Sequence, residues 1–152
     1  MFRGAANVTL DEKGRLVVPA RFREQFLERS AGQLVVTINI RGGECLLLYP
    51  LVDWQRVHAQ LMQLPSLHPR TESLQRLLVG HATDLTIDGH GRVLLPPELR
   101  EFAGLDRRAT LLGMGNRCEL WDETRWTERR AFLLKSELSA TDLPAGFDSL
   151  LL

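Results

Sequence analysis

Arginine is the residue type whose placement in this chain could do chemistry, and it recurs in one setting. Residues 11–15 read DEKGR and residues 88–92 read DGHGR, two turns of the form D-x-x-G-R that end in Arg15 and Arg92. Backbone geometry accounts for the aspartate and the glycine. Asp11 and Asp88 can accept a hydrogen bond from an amide two residues on, and Gly14 and Gly91 can take the positive φ of a type I turn closed by a glycine bulge. Nothing in the turn requires the arginine, which adds a long, planar, permanently charged donor leaving a stiff hairpin. Paired with its own aspartate it would be structural; turned outward it would be free to donate paired hydrogen bonds to a partner.

Other candidates for chemistry are thin. His58, His68, His81 and His90 are scattered, and His81, Asp84, Asp88 and His90 form the one cluster near in sequence. On a strand, His81 and Asp84 point to opposite faces because their separation is odd. No glycine-rich phosphate loop, nucleophile elbow or zinc-binding helix motif is present. Cys45 and Cys118 have neither metal spacing nor a disulfide framework, and both lie in apolar runs where a buried free thiol is usual. The expectation is no catalytic residue, no metal, no cofactor and no small-molecule substrate, hence no enzyme.

The elements that hold the two arginines are themselves duplicated. Residues 7–25 align without a gap to residues 84–102 at a shift of 77, with seven identities: Thr9/Thr86, Asp11/Asp88, Gly14/Gly91, Arg15/Arg92, Pro19/Pro96, Arg23/Arg100 and Glu24/Glu101. A second echo, LYPLVDW at 48–54 against LWDETRW at 120–126, follows at a shift of 72. Repetition on this scale means that one structural unit occurs twice.

Each copy reads alike. Val8 and Leu10, then Leu16 and Val18, alternate as in half-buried strands on either side of the turn. Pro19, or Pro96 with Pro97, opens a short helix, and Gly104 marks a helix end. Residues 33–40 and 45–50 flank a hairpin at 41–44, and 109–115 with 118–121 flank its counterpart at Asn116-Arg117. A helix follows each hairpin, with Trp54, Val57, Leu61 and Leu64 as its apolar stripe in the first copy and Trp126 and Leu133 in the second. Residues 65–69 break the chain, and a short helix near 71–79 leads to the second copy. Few short strands close a core alone, so the two copies are expected to bury each other's apolar faces as a pseudo-two-fold unit.

Composition bounds the partners. The chain has 152 residues, 44% hydrophobic, with 19 basic and 19 acidic side chains and no net charge. Charge is unevenly spread: residues 1–23 carry five bases against two acids, a net +3, and residues 136–152 carry three acids and no base. One basic end is therefore expected on a neutral molecule. No apolar run approaches the length of a bilayer span and the start lacks a signal-peptide core, so no membrane partner is expected.

Together MFRG at the start, LDEKGRLVVPARFRE, LLLYPLVDW, RLLVGHA, DGHGRVLLPPELRE and CELWDETRW resemble the MraZ family of bacterial transcriptional regulators, over nearly the whole chain to about Glu137. Each half is similar to the swapped-hairpin modules of the AbrB/SpoVT class, whose D-x-x-x-R signature matches Asp11/Arg15 and Asp88/Arg92. The resemblance implies an α+β fold, a double swapped-hairpin AbrB-like β-barrel built from two repeated halves with peripheral helices. Its expected division is a first module at 5–52, a helical connector at 53–80, a second module at 81–124, and a C-terminal helix with acidic tail at 125–152. It further implies a homo-oligomeric ring in the cytoplasm, associated with the nucleoid. That ring would bind direct repeats in double-stranded DNA and repress its own promoter and the division and cell-wall gene cluster. Carried over residue by residue, Arg15 and Arg92 take the DNA-contacting role, while Asp11, Gly14, Asp88 and Gly91 brace the turns. Lys13 and Arg3 are added by charge and position. Gly89-His90 replaces Glu12-Lys13 in the second turn, so the first turn is expected to dominate DNA contact. An arginine can donate two parallel hydrogen bonds to guanine in the major groove, and nearby bases neutralise phosphate.

A non-catalytic ring-forming scaffold, or a protein-interaction module using the acidic leucine-rich tail, is the alternative consistent with the same duplication. Trp54, Trp121 and Trp126 are expected in the core rather than stacked on bases.

Overall fold

The structure is a computed structural model that describes residues 1–152. The first half runs β1 (Phe2–Thr9), β2 (Arg15–Val17), α1 (Ala20–Ser30), β3 (Gln33–Ile38), β4 (Leu46–Pro50) and α2 (Leu51–Met62). After α3 (Thr71–Leu78), the second half repeats the order as β5 (Thr83–Thr86), β6 (Arg92–Leu94), α4 (Pro97–Phe102), β7 (Arg108–Gly115), β8 (Cys118–Asp122) and α5 (Glu123–Glu137).

Strand pairing interleaves the halves. The main sheet is six-stranded and antiparallel in the order β1-β7-β8-β4-β3-β5, and β2 pairs with β6 in a separate two-stranded ribbon. The first strand of each half thus pairs with the third strand of the other. Replacing every strand by its counterpart reverses the sheet order onto itself, so a pseudo-two-fold axis passes between β4 and β8 and between β2 and β6.

The sheet does not close into the β-barrel that the resemblance implied. β1 and β5 are free edges at opposite ends of the sheet. After each of them the chain leaves the sheet through a D-x-x-G-R turn. The three-residue strands that follow bond to each other, and each is tied back across its turn, the Arg15 carbonyl accepting from the Asp11 amide at 3.0 Å beside the Leu10–Leu16 bridge and the Arg92 carbonyl from the Asp88 amide at 2.9 Å. The architecture is α+β, an open antiparallel sheet covered on both faces.

Alternation along the central strands explains both layers. Leu34, Val36, Ile38, Leu46, Leu48, Leu111 and Leu120 face one side and pack with Leu16 and Val93 of the ribbon, with Leu10, Val18 and Leu95 flanking it, and with Phe22, Phe26 and Leu99 of α1 and α4. Val35, Leu47, Tyr49 and Trp121 face the other side and pack with Trp54 of α2 and Trp126 of α5. The tryptophans therefore lie in the core layer over α2 and α5, as expected, and both cysteines are buried. Burial pushes both thiols well above the ordinary range.

Polar groups bridge the layers where helices meet. Arg29 of α1 donates from Nε and Nη2 to the buried Asp53 of α2, both at 2.8 Å, and this hydrogen bonding raises the arginine's pKa. Thr37, fully buried on β3, donates to the Leu78 carbonyl at 2.6 Å and ties α3 to the sheet. The first contact ties α1, on the ribbon's side of the sheet, to α2 on the other side, and the second holds α3 against β3.

Candidate nucleic-acid interface

The two D-x-x-G-R turns have the same hydrogen bonds. Asp11 Oδ1 accepts from the amides of Lys13 and Arg15, both at 2.9 Å, and Oδ2 accepts from Arg15 Nε at 2.6 Å. Asp88 Oδ1 accepts from the amides of His90 at 2.8 Å and Arg92 at 2.9 Å, and Oδ2 from Arg92 Nε at 3.1 Å. Each glycine amide donates to the aspartate carbonyl at 3.0 Å, and Gly14 and Gly91 have φ of +83° and +75°. The amide of Arg15, and correspondingly of Arg92, is the main reason each carboxyl sits below the usual carboxylate range; the neighbouring amide and guanidinium add to it against partial desolvation.

Each arginine is thus paired with its own aspartate and still keeps an unpaired edge. Asp11 and Asp88 engage Nε only, and neither Nη of Arg15 or Arg92 has a protein hydrogen-bond partner. The aspartate fixes the direction of the guanidinium, and its far edge keeps two parallel donors for something else. The side chains remain 32% and 29% exposed.

Pairing on the ribbon brings the two arginines onto one surface. The register is Arg15 opposite Leu94, Leu16 opposite Val93 and Val17 opposite Arg92. Leu16 and Val93 point into the core, so Arg15, Val17, Arg92 and Leu94 share the outer face. Arg15 and Arg92 are diagonal neighbours, about 7–8 Å apart by strand geometry.

A reciprocal clasp holds the turns together. The Gly14 carbonyl accepts from the Leu95 amide at 3.0 Å and the Gly91 carbonyl from the Val18 amide at 2.9 Å, so each turn is bonded to the strand end of the other half. Arg100 of α4 lies against Gly14, Arg23 of α1 lies against Gly91, and a Cβ at either glycine would collide with that guanidinium. Arg23 also donates to the Val18 carbonyl at 3.2 Å and Arg100 to the Leu95 carbonyl at 3.1 Å. Sequence reasoning assigned no role to Arg23 or Arg100, although their identity at the 77-residue shift was the signal that could have found them.

Of the remaining expected site residues, Lys13 is exposed at the tip of the first turn, and His90 is exposed at the equivalent place in the second. Arg3 is exposed on edge strand β1 opposite Met114, at the end of that strand remote from the turn, and does not join the ribbon cluster. His81 Nδ1 lies 2.7 Å from the Leu77 carbonyl, and Nε2 lies 3.7 Å from Glu98. No three His, Cys, Asp or Glu side chains are placed to hold a metal ion, and no helix is long and apolar enough to cross a membrane.

Comparison with known proteins agrees with the duplication. The family model for "MraZ protein" matches twice, at residues 1–77 and 78–144. The protein named transcriptional regulator MraZ in Thioalkalivibrio sulfidiphilus is 47% identical over 150 residues, covering 99% of each chain. Its namesake in Escherichia coli O9:H4 is 49% identical over 146 residues, covering 96% of this chain and 93% of that one. The one from Thiobacillus denitrificans is 54% identical over 126 residues, covering 83% of this chain and 84% of that one. With two family matches that divide the chain as its own repeat does, and relatives of this identity along nearly its full length, the chain belongs to the MraZ family.

Proposed function

We propose that this protein is a DNA-binding transcriptional regulator, without catalytic activity, that reads repeated boxes in double-stranded DNA through Arg15 and Arg92. The observation that carries this reading is the pair of outward guanidinium edges on one ribbon, each buttressed at Nε by its own aspartate. A two-stranded ribbon fits the major groove, where the free Nη pair can donate to guanine O6 and N7. Lys13 neutralises phosphate beside the first turn, and Arg3 adds charge further along the edge strand. The printed name of the relatives, transcriptional regulator, supports the same function.

Finer elements of the proposal rest on the family resemblance. The protein acts as a repressor of its own promoter and of the division and cell-wall cluster, in the cytoplasm and associated with the nucleoid. Residues 5–52 and 81–124 act as two AbrB/SpoVT-like swapped-hairpin modules, with 53–80 as connector and 125–152 as helix and tail. The exchange of β1 and β5 between halves supports that description. Several copies form a ring, so that neighbouring boxes are occupied together.

The test is binding to the DNA upstream of its own gene, by gel shift or anisotropy, over a series of salt concentrations. Arg15→Ala is expected to cost about 1–3 kcal/mol of sequence discrimination, with unfolding temperature and oligomer mass unchanged. Arg92→Ala is expected to cost less, because its turn lacks a lysine. Equal binding of all sequences by wild type, or equal binding by wild type and Arg15→Ala, overturns the proposal and favours the scaffold.

A further inference from the structure

The outer face of the ribbon carries two residues that the proposed contacts leave unused. Val17 and Leu94 are 53% and 55% exposed, although each sits on a three-residue strand whose next residue, Leu16 or Val93, is almost fully buried. A single exposed aliphatic side chain is ordinary. Here the two occupy equivalent places in the two halves, 77 residues apart, and lie on the same face as both arginines. Leu94 stands directly opposite Arg15, and Val17 directly opposite Arg92. The face therefore consists of two guanidinium–aliphatic pairs related by the pseudo-two-fold axis.

We infer that Val17 and Leu94 are specificity-determining residues that contact thymine C5-methyl groups beside the bases read by Arg92 and Arg15. The inference rests on the proposed DNA reading and deepens it. Cross-strand neighbours have Cβ atoms about 4.5–5.5 Å apart, so an aliphatic group beside each arginine meets the base pair next to the one that arginine reads. In the major groove the one apolar group that projects from the base edges is the thymine methyl, and an aliphatic contact with it favours T over the other bases. The surroundings suit a polyanion: Arg15, Arg92, Arg23 and Arg100 gather around the ribbon with Lys13 at one tip, against Asp11, Asp88 and Glu12. A face that presents aliphatic groups only between cations matches a duplex better than an apolar partner surface.

Deoxyuridine differs from thymidine by the C5-methyl alone, so the methyl can be removed from the DNA. The upstream DNA is amplified once with dTTP and once with dUTP, and binding to both is measured for the wild type and for Val17→Ser/Leu94→Ser, with oligomer mass recorded on the same samples. Wild type is expected to bind the thymine duplex more tightly by about fourfold for each methyl in contact. The double variant is expected to bind both duplexes alike, at the level of wild type on the uracil duplex, with its oligomer mass unchanged. Equal wild-type affinity for the two duplexes overturns the inference while leaving the arginine reading in place. A variant that keeps the full thymine preference overturns it too, as does one whose oligomer dissociates, since the aliphatic face would then be covered by a second copy of the chain. Failure of the wild type to bind either duplex removes the DNA reading and this inference together.

Discussion

At the scale of the residue, the two aspartates do more than turn the chain. Each satisfies two backbone amides and directs one guanidinium, so a change in its charge acts on the turn and on the arginine together. Their carboxyls are held below the ordinary value of 3.8 in the folded protein. A group with a depressed folded pKa stabilises the fold fully above its unfolded pKa, and that contribution fades as pH falls through the folded value. The wild type is therefore expected to lose unfolding temperature below about pH 4, the range of an unperturbed aspartate. Asp11→Ala/Asp88→Ala should unfold at a lower temperature than wild type at pH 7, with the difference shrinking toward pH 2; thermal melts across that range check it. This much was legible in the sequence, because D-x-x-G-R specifies its own local hydrogen bonds. Which edge of the arginine stays free was not legible, since it depends on Oδ2 taking Nε and leaving both Nη groups unpaired.

At the scale of the element, the clasp between the halves decides where the turns point. Gly14 is constrained twice, by φ of +83° and by the Arg100 guanidinium packed against it. Gly14→Ala is expected to destabilise by more than about 1 kcal/mol, because the left-handed conformation and the collision both penalise a side chain. Adding Arg100→Ala should return the collision part and leave the backbone part, so denaturant unfolding of the two single variants and the double variant is expected to be non-additive. Gly91 with Arg23 should behave the same way. The Arg29–Asp53 pair is a second joint: Asp53→Ala strands a partly exposed guanidinium between α1 and α2 and should cost about 1–3 kcal/mol in the same assay. Element order, both hairpins and the short connecting helix followed from periodicity and turn residues, because those signals are local. The exchange of β1 and β5 between halves did not, and neither did the open sheet. Each depends on pairings between strands distant in sequence, and Val8, Leu10 and their counterparts would alternate identically in a closed barrel. Arg23 and Arg100 escaped assignment for the same reason, since each acts on the turn of the half to which it does not belong.

At the scale of the whole molecule, zero net charge is compatible with the proposed cationic interface because charge is unevenly spread. The ribbon gathers four arginines, while the acidic stretch 136–152 starts in the last residues of α5, a helix without a buried residue, and continues past exposed Leu143, Phe147 and Leu150. One ribbon reaches only a few phosphates, and the salt slope of DNA binding is about −0.9 per phosphate neutralised. A subunit acting alone is thus expected to hold a single box weakly at physiological salt. In the proposed ring, occupying two adjacent boxes at once should raise affinity by about 10²-fold or more, because the second contact is made at high effective concentration. Titration of one-box and two-box duplexes at several salt concentrations measures both quantities. The two-box probe should show a steeper slope and a higher affinity; Lys13→Ala, which removes a proposed phosphate contact, should flatten the slope on both probes, whereas Arg15→Ala/Arg92→Ala should remove sequence preference on both. If the two probes bind equally well, the ribbons are not engaged together, and the link between duplicated turns, repeated subunits and repeated boxes fails at its last step.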